Sequence, residues 1–332
     1  MQAQFIFFLR LGGSYLAMFI FPAIVFMVWR FFSSFFSEPR ITFQRHARII
    51  GRFALILIGA ALLLSLTLYL SAALAGLPPA QLAAASDWCA KIDRTLFGVD
   101  VPFWFQRDGS VIKSVMDRLG FILIWSYVSL TSLMAFALNI TLALRFQTFL
   151  RLSTALIAAI ILSLPIWYRC PALIPAERYL DNILAIDSPS FIAPSLAAYT
   201  PNTKLTNFQA RMRATRIGPT QGVTTMPSMH VAWALIIAFF LFQIAPKTAW
   251  VTLPYNVFNA IAAIYTLEHY AIDIFAGLII GIISIFLAQR WIHSATDQPQ
   301  ITDLIQESAR PLLVRFDQYA SRFKQRFLIF KR

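Results

Sequence analysis

Two histidines and one aspartate carry the strongest chemical signal in the sequence. His230 follows Thr224-Thr225-Met226-Pro227-Ser228-Met229 and opens an apolar run. His269 stands in Thr266-Leu267-Glu268-His269-Tyr270-Ala271-Ile272-Asp273, at the start of another. His269 and Asp273 are four residues apart, which puts both on one helix face. A carboxylate there can accept the Nδ1–H of the imidazole, fixing the tautomer and leaving Nε2 with a lone pair. Such an imidazole can attack phosphorus, and the carboxylate then stabilises the charged phospho-imidazole. His230 can protonate the departing oxygen and afterwards deprotonate the acceptor. Helix starts expose free N–H groups and a positive dipole end, so both helix starts can meet one phosphate. Arg169, Arg178 and Arg216 are candidates for its non-bridging oxygens, because a guanidinium fork pairs two oxygens at once. Ser228 is a further candidate phosphate contact. Thr224 or Thr225 reads as the N-cap of the first helix, and Pro227 as part of its first turn.

Plainer readings compete. An HxxxD pair on a helix is often a structural hydrogen bond, but ionisable residues at apolar spans default to function. A metal site built from His230, His269, Asp273 and Glu268 is the main chemical rival. No tight His/Cys spacing supports it, so the expectation is no metal and no cofactor. His46 and His293 read as surface residues. Cys89 and Cys170 are too few for a disulfide framework, although both fall in segments read as external, where a disulfide can form.

The elements that must position these residues are membrane spans. Of 332 residues, 58% are hydrophobic and only 13% charged, with 31 Phe. A soluble domain carries about 25% charge, and the mean hydropathy here is +0.67. Disorder, collagen and small disulfide scaffolds are excluded by the same figures. Apolar runs cover residues 11–36, 53–77, 119–144, 152–167, 230–245, 249–266 and 270–288, about seven spans. The net charge of +13 fits Lys and Arg at cytoplasmic span ends, not nucleic acid as a partner. Arg30, Arg40, Arg45, Arg48 and Arg52 make the first loop cytoplasmic, which puts segments 78–118 and 168–229 outside. In the balanced segment 78–118, acids such as Asp93 offset neighbouring bases. Residues 80–97 and 311–330 read as interfacial helices. The second is a cationic amphipathic tail on the cytoplasmic leaflet. The organisation expected is therefore 1–49, an N-terminal span with a basic loop; 50–292, a membrane domain; and 293–332, the tail.

The stretches Met226-Pro227-Ser228-Met229-His230-Val231-Ala232-Trp233-Ala234 and Glu268-His269-Tyr270-Ala271-Ile272-Asp273-Ile274-Phe275-Ala276-Gly277 resemble the second and third signature motifs of the type 2 phosphatidic acid phosphatase superfamily. The likeness is greatest to its inositolphosphotransferase-like branch, which includes inositol phosphorylceramide synthases. Ile92-Asp93-Arg94-Thr95-Leu96-Phe97-Gly98, Cys170-Pro171-Ala172-Leu173-Ile174-Pro175 and Tyr179-Leu180-Asp181-Asn182 also fit that branch. The resemblance implies an all-α polytopic bundle with a six-helix catalytic core, to which the first span and the tail are additions. It implies His269 as nucleophile, Asp273 as its partner and His230 as acid and base. Its phosphatases carry a Lys and an Arg-Pro pair where Ser163 to Pro171 offers only Arg169. They also carry an Arg where this chain has Ala263. Both departures favour transfer over hydrolysis.

The expected activity is a phosphotransferase that moves a phosphoryl or phospho-headgroup through phospho-His269. The donor would be a phospholipid or polyprenyl-phosphate type of lipid, and the acceptor an alcohol, at the periplasmic face of a bacterial inner membrane. A lipid phosphate phosphatase, with water as acceptor, is the alternative. A transporter or scaffold using His and Asp as a proton relay is the non-enzymatic one.

Overall fold

The computed structural model describes residues 76–215 and 225–294. The span expected at 11–36, all but the last two residues of that at 53–77, the tail at 311–330, His46 and Arg216 lie outside the described residues. Within them the chain is helical, and the sole β pairing is one isolated antiparallel bridge between Arg107 and Tyr199.

The helices are α1 (Pro79–Phe97), α2 (Val101–Trp104), α3 (Val111–Val128), α4 (Leu130–Leu144), α5 (Phe146–Arg169), α6 (Ala193–Ala197), α7 (Thr203–Thr215), α8 (Met229–Ile244), α9 (Ala249–Tyr265) and α10 (Ala271–Ser294). A single wide turn, Ala176–Leu180, lies between α5 and α6. Two helices are long and apolar enough to cross a bilayer alone, over Gln147–Arg169 and Ala271–Ile292. These apolar helices are those of a membrane protein. α8 sits at the centre, packed on α4, α5, α9 and α10. It is apolar nearly all round because most of its circumference is covered: Val231, Ala234, Ile236, Ile237 and Phe240 are buried. The outward faces of α9 and α10 expose Trp250, Val251, Ile279, Ile282 and Phe286, as lipid contact requires.

The apolar run 119–144 is not one straight span. Its helix begins earlier, at Val111, where the Ser110 hydroxyl accepts the Lys113 N–H at 3.0 Å. It then breaks at Ser129, and α3 and α4 meet at a 48° bend. The cause is a side chain in the hydrogen-bond ladder. Tyr255 of α9 donates its hydroxyl to the Ser126 carbonyl at 2.7 Å and lies 3.3 Å from the Ser129 hydroxyl. That carbonyl would otherwise accept from Leu130 in a continuous helix.

Close approach of α8 and α10 depends on two glycines spaced four apart. A Cβ on Gly277 would lie 2.4 Å from the Ser228 carbonyl oxygen, and one on Gly281 3.2 Å from that of Ala232. Small residues at this spacing let membrane helices touch backbone to backbone.

α1 straps the end of the bundle that carries His269. Its buried stripe is Leu82, Ser86, Cys89 and Asp93, with Ala83 and Ala90 beside it. The Ser86 hydroxyl accepts the Leu173 N–H at 2.9 Å. Asp93, fully buried, was expected to be one charge in a balanced loop; instead it reaches across to the start of α10. Its Oδ2 accepts the Ala271 N–H at 2.7 Å, and its Oδ1 the Ile272 N–H at 2.8 Å. A buried helix start needs such acceptors, because its first N–H groups have none within the helix.

Burial pushes the Asp93 carboxyl up to about 7, with Asp273 and Asp100 acting the same way against the two N–H bonds. A carboxyl raised in the folded chain favours folding most below its unfolded value of 3.8, and that contribution is lost as pH rises to about 7. Measured against Asp93→Asn, which cannot ionise, the native chain's thermal midpoint in detergent should therefore decline from pH 4 to pH 7; a pH-independent difference would refute the buried titration. Asp93→Ala, which removes both acceptors, is expected to cost about 2–3 kcal/mol. An unchanged midpoint would show the contact to be idle.

Candidate functional site

The two histidines meet at this end of the bundle. The His230 and His269 ring centroids are 5.9 Å apart, at 63°. His269 does not open a helix, as its spacing had implied. It stands in the turn between α9 and α10, two residues before Ala271. That turn is built by the end of α9. Leu267 takes a left-handed conformation with φ of 63°. Its N–H donates to the Ile264 carbonyl at 3.0 Å, and the Glu268 N–H to the Ala263 carbonyl at 3.2 Å. This is the reverse turn that commonly ends helices, usually with glycine at the left-handed position. Here a leucine takes it, and its side chain is fully buried. The His269 N–H also donates to the Ala263 carbonyl, at 3.0 Å. The imidazole is thus fixed through its own backbone.

The ring itself is fixed at Nδ1, which lies 3.0 Å from the Thr225 carbonyl oxygen. A carbonyl can only accept, so Nδ1 carries the proton and Nε2 the lone pair. The tautomer is the expected one, but its principal partner is not. The Asp273 carboxylate oxygen Oδ2 is farther away, at 3.4 Å, and takes the Tyr270 N–H at 2.9 Å. Asp273 also offers its backbone carbonyl to the Ser228 N–H at 2.9 Å, tying the start of α8 to α10.

That tie explains why α8 starts later than expected. Thr225 is not its N-cap, and Pro227 precedes the helix rather than entering its first turn. Ser228 is the cap residue, with extended backbone, because its N–H is held on α10. The Ser228 hydroxyl is buried and has no hydrogen-bond partner among the described residues. Beyond it, α8 opens with the N–H groups of Met229, His230 and Val231, which have no intrahelical acceptor.

His230 is half-buried. Its ring lies flat on Tyr127 of α3, with centroids 4.1 Å apart and planes 10° apart. Asn259 of α9 donates its side-chain amide to the His230 carbonyl at 3.2 Å. Neither partner was anticipated, since both come from helices whose sequences read simply as apolar spans.

The arginine candidates separate. Arg169 is exposed at the end of α5, and Arg216 is outside the described residues. Arg178 is not a free cation facing the histidines. Its Nε and Nη2 donate to both oxygens of Asp87, each at 3.0 Å, while Nη1 and Nη2 donate to the carbonyls of Ile186 and Asp187. Its side chain is 0% exposed, so a buried guanidinium has found its anion inside the protein, as burial requires. Tyr179 donates to the same carboxylate at 2.9 Å. The arginine fastens α1 to the turn at 176–180. Sequence reasoning missed the role of Asp93; the signal for it was an ionisable residue on the buried stripe of α1. Among the described residues no three His, Cys, Asp or Glu side chains converge as a metal-ligand set. His230, His269, Asp273 and Glu268 thus do not form one.

The arrangement is chemically legible: one oriented imidazole with a free Nε2, a second imidazole beside it, a buried carboxylate behind, and an unused hydroxyl at a helix start. The PAP2 superfamily profile matches residues 87–287. No curated protein and no solved structure matches the chain. The matched stretch is well over half of the sequence and encloses the whole cluster, from Asp93 to Gly277, and the chain belongs to the PAP2 superfamily.

Proposed function

We propose that the protein is an integral membrane phosphotransferase that works by double displacement through His269. The superfamily supplies the coarser frame, a membrane enzyme of phosphatase or phosphotransferase type acting on phosphorylated lipids. The observation that carries the finer reading is the Nδ1–H bond to Thr225 at 3.0 Å, which leaves Nε2 as the lone-pair nitrogen beside His230. Nε2 attacks phosphorus, the bond from phosphorus to the donor's oxygen breaks, and His230 gives that oxygen a proton. His230 then takes the proton of an alcohol, whose oxygen attacks phosphorus as the P–N bond breaks. The ring is positively charged between the two steps, and Asp273 at 3.4 Å stabilises it. The Ser228 hydroxyl and the opening N–H groups of α8 suit the phosphoryl oxygens. Arg169 and Arg216 are retained as candidates for the rest of the charge.

Transfer is favoured over hydrolysis by the sparse cations. Position 263, an arginine in the phosphatases this chain resembles, is a fully buried alanine. The inositolphosphotransferase-like branch is the reading this favours, with a phospho-headgroup passing from a phospholipid or polyprenyl-phosphate type of lipid to an alcohol at the periplasmic face of a bacterial inner membrane.

His269→Gln is expected to lower turnover of labelled phospholipid in membranes by about 10³-fold or more; unchanged turnover would remove the nucleophile. Label trapped on His269 in His230→Ala would support the two-step route, although the variant also loses the acid of the first step. Release of labelled free phosphate with no labelled alcohol product would replace the transferase by the phosphatase. Tyr127→Leu deletes the ring beneath His230 and should reduce kcat about 10–100-fold with little change in KM, whereas Tyr127→Phe keeps the stack. Equal rates in both variants would deny the stack a positioning role.

A further inference from the structure

We propose that Cys89 and Cys170 form a redox-active pair that closes to a disulfide and staples α1 to the end of α5. Their sulfurs lie 3.8 Å apart, unbonded. Cys89 is fully buried on α1, one turn before Asp93. Cys170 ends α5, donating its N–H to the Ile166 carbonyl, and is half-buried. The Met226 thioether, 3.9 Å from Cys89, is also beside the pair. Among the described residues no third His, Cys, Asp or Glu completes a metal-ligand set with them. Two thiols 3.8 Å apart are placed to be oxidised to each other.

The exposure of the two sulfurs sets the order of events. Cys170 is the one that an external disulfide can reach. The two sulfurs are within hydrogen-bonding reach of each other, and the Cys89 side chain lowers the Cys170 thiol from its ordinary value, which favours the attacking thiolate. Cys170 attacks a low-molecular-weight or protein disulfide; that S–S bond breaks, one thiol leaves, and a mixed disulfide forms. Cys89 loses its proton and attacks the Cys170 sulfur from inside, expelling the second thiol. The protein loses two electrons and two protons, and the oxidant becomes two thiols. The bond ties α5 to the helix that already holds the start of α10 through Asp93 and the 170–180 segment through Ser86 and Asp87. It therefore tightens the strap over the histidines without touching either ring.

The test uses the full chain in detergent, equilibrated with oxidised glutathione and then unfolded in the presence of a maleimide. Mass measurement should find no maleimide and no glutathione, and two maleimides once a reductant has been added. Two maleimides without reductant, or one maleimide with one glutathione, would overturn the pairing; so would a reducible dimer. Cys89→Ser should leave Cys170 carrying one glutathione, and an unmodified Cys170 there would overturn its role as the entry point. The oxidised chain should unfold about 4–10 °C above the reduced one. Equal midpoints would overturn the staple.

Discussion

A helix that begins inside a protein brings with it N–H groups that water cannot reach, and each must find an acceptor. α10 begins this way, two residues after His269. Three consecutive N–H groups, on Tyr270, Ala271 and Ile272, go to the carboxylates of Asp273 and Asp93. Much of the architecture at this end follows from that need. α1 must lie across the bundle for Asp93 to reach, and Asp87 and Ser86 on the same helix anchor it to the 173–179 segment. With the helix start fixed, the turn before it can hold a ring in one orientation.

The same constraint separates two helix starts that look alike in sequence. An N-terminus attracts anions through its dipole and its free donors. At α10 those donors are already spent on two internal carboxylates, so that end is no place for a phosphate. At α8 the cap residue is Ser228, whose hydroxyl has no hydrogen-bond partner among the described residues. The backbone there is pinned by Ser228 donating to the Asp273 carbonyl, and Gly277 lets the strands of backbone meet. One helix start thus supports the turn that holds His269, and the other is the one the proposed route leaves to face the anion.

Much of this was legible in the sequence, and the failures have physical causes. The five apolar runs within the described residues became helices, and His230 and His269 did converge. Local spacing misled where a distant partner intervened. The run 119–144 gave no hint that a tyrosine 129 residues further along would enter its ladder. HxxxD implied a helical pair, but the α9 turn lifts His269 off the helix and gives its Nδ1 to a carbonyl. Arg178 looked like a phosphate ligand because residue type says nothing about which anion is nearest, and Asp87 is 91 positions away. Asp93 was hidden for the opposite reason: among five acids and five bases in one segment, charge counting makes any single acid ordinary. Only its place on the stripe Leu82, Ser86, Cys89 sets it apart.

The choice of a carbonyl over a carboxylate at Nδ1 bears on the chemistry. A carboxylate bonded directly to the ring would hold a full negative charge close to where, in the proposed route, an anionic donor arrives. The Thr225 carbonyl fixes the same tautomer with a neutral dipole. Asp273 waits at 3.4 Å, its charge partly drawn off by the Tyr270 N–H. Its attraction grows only when the ring becomes cationic, which in the proposed route is when phosphorus is bound to Nε2. An interaction stronger in the charged intermediate than in the resting ring speeds the step that forms it, whereas one equally strong in both would not. The longer distance to the carboxylate is then consistent with a site tuned for covalent transfer, and the geometry of Thr225 matters as much as the acid that the sequence made conspicuous.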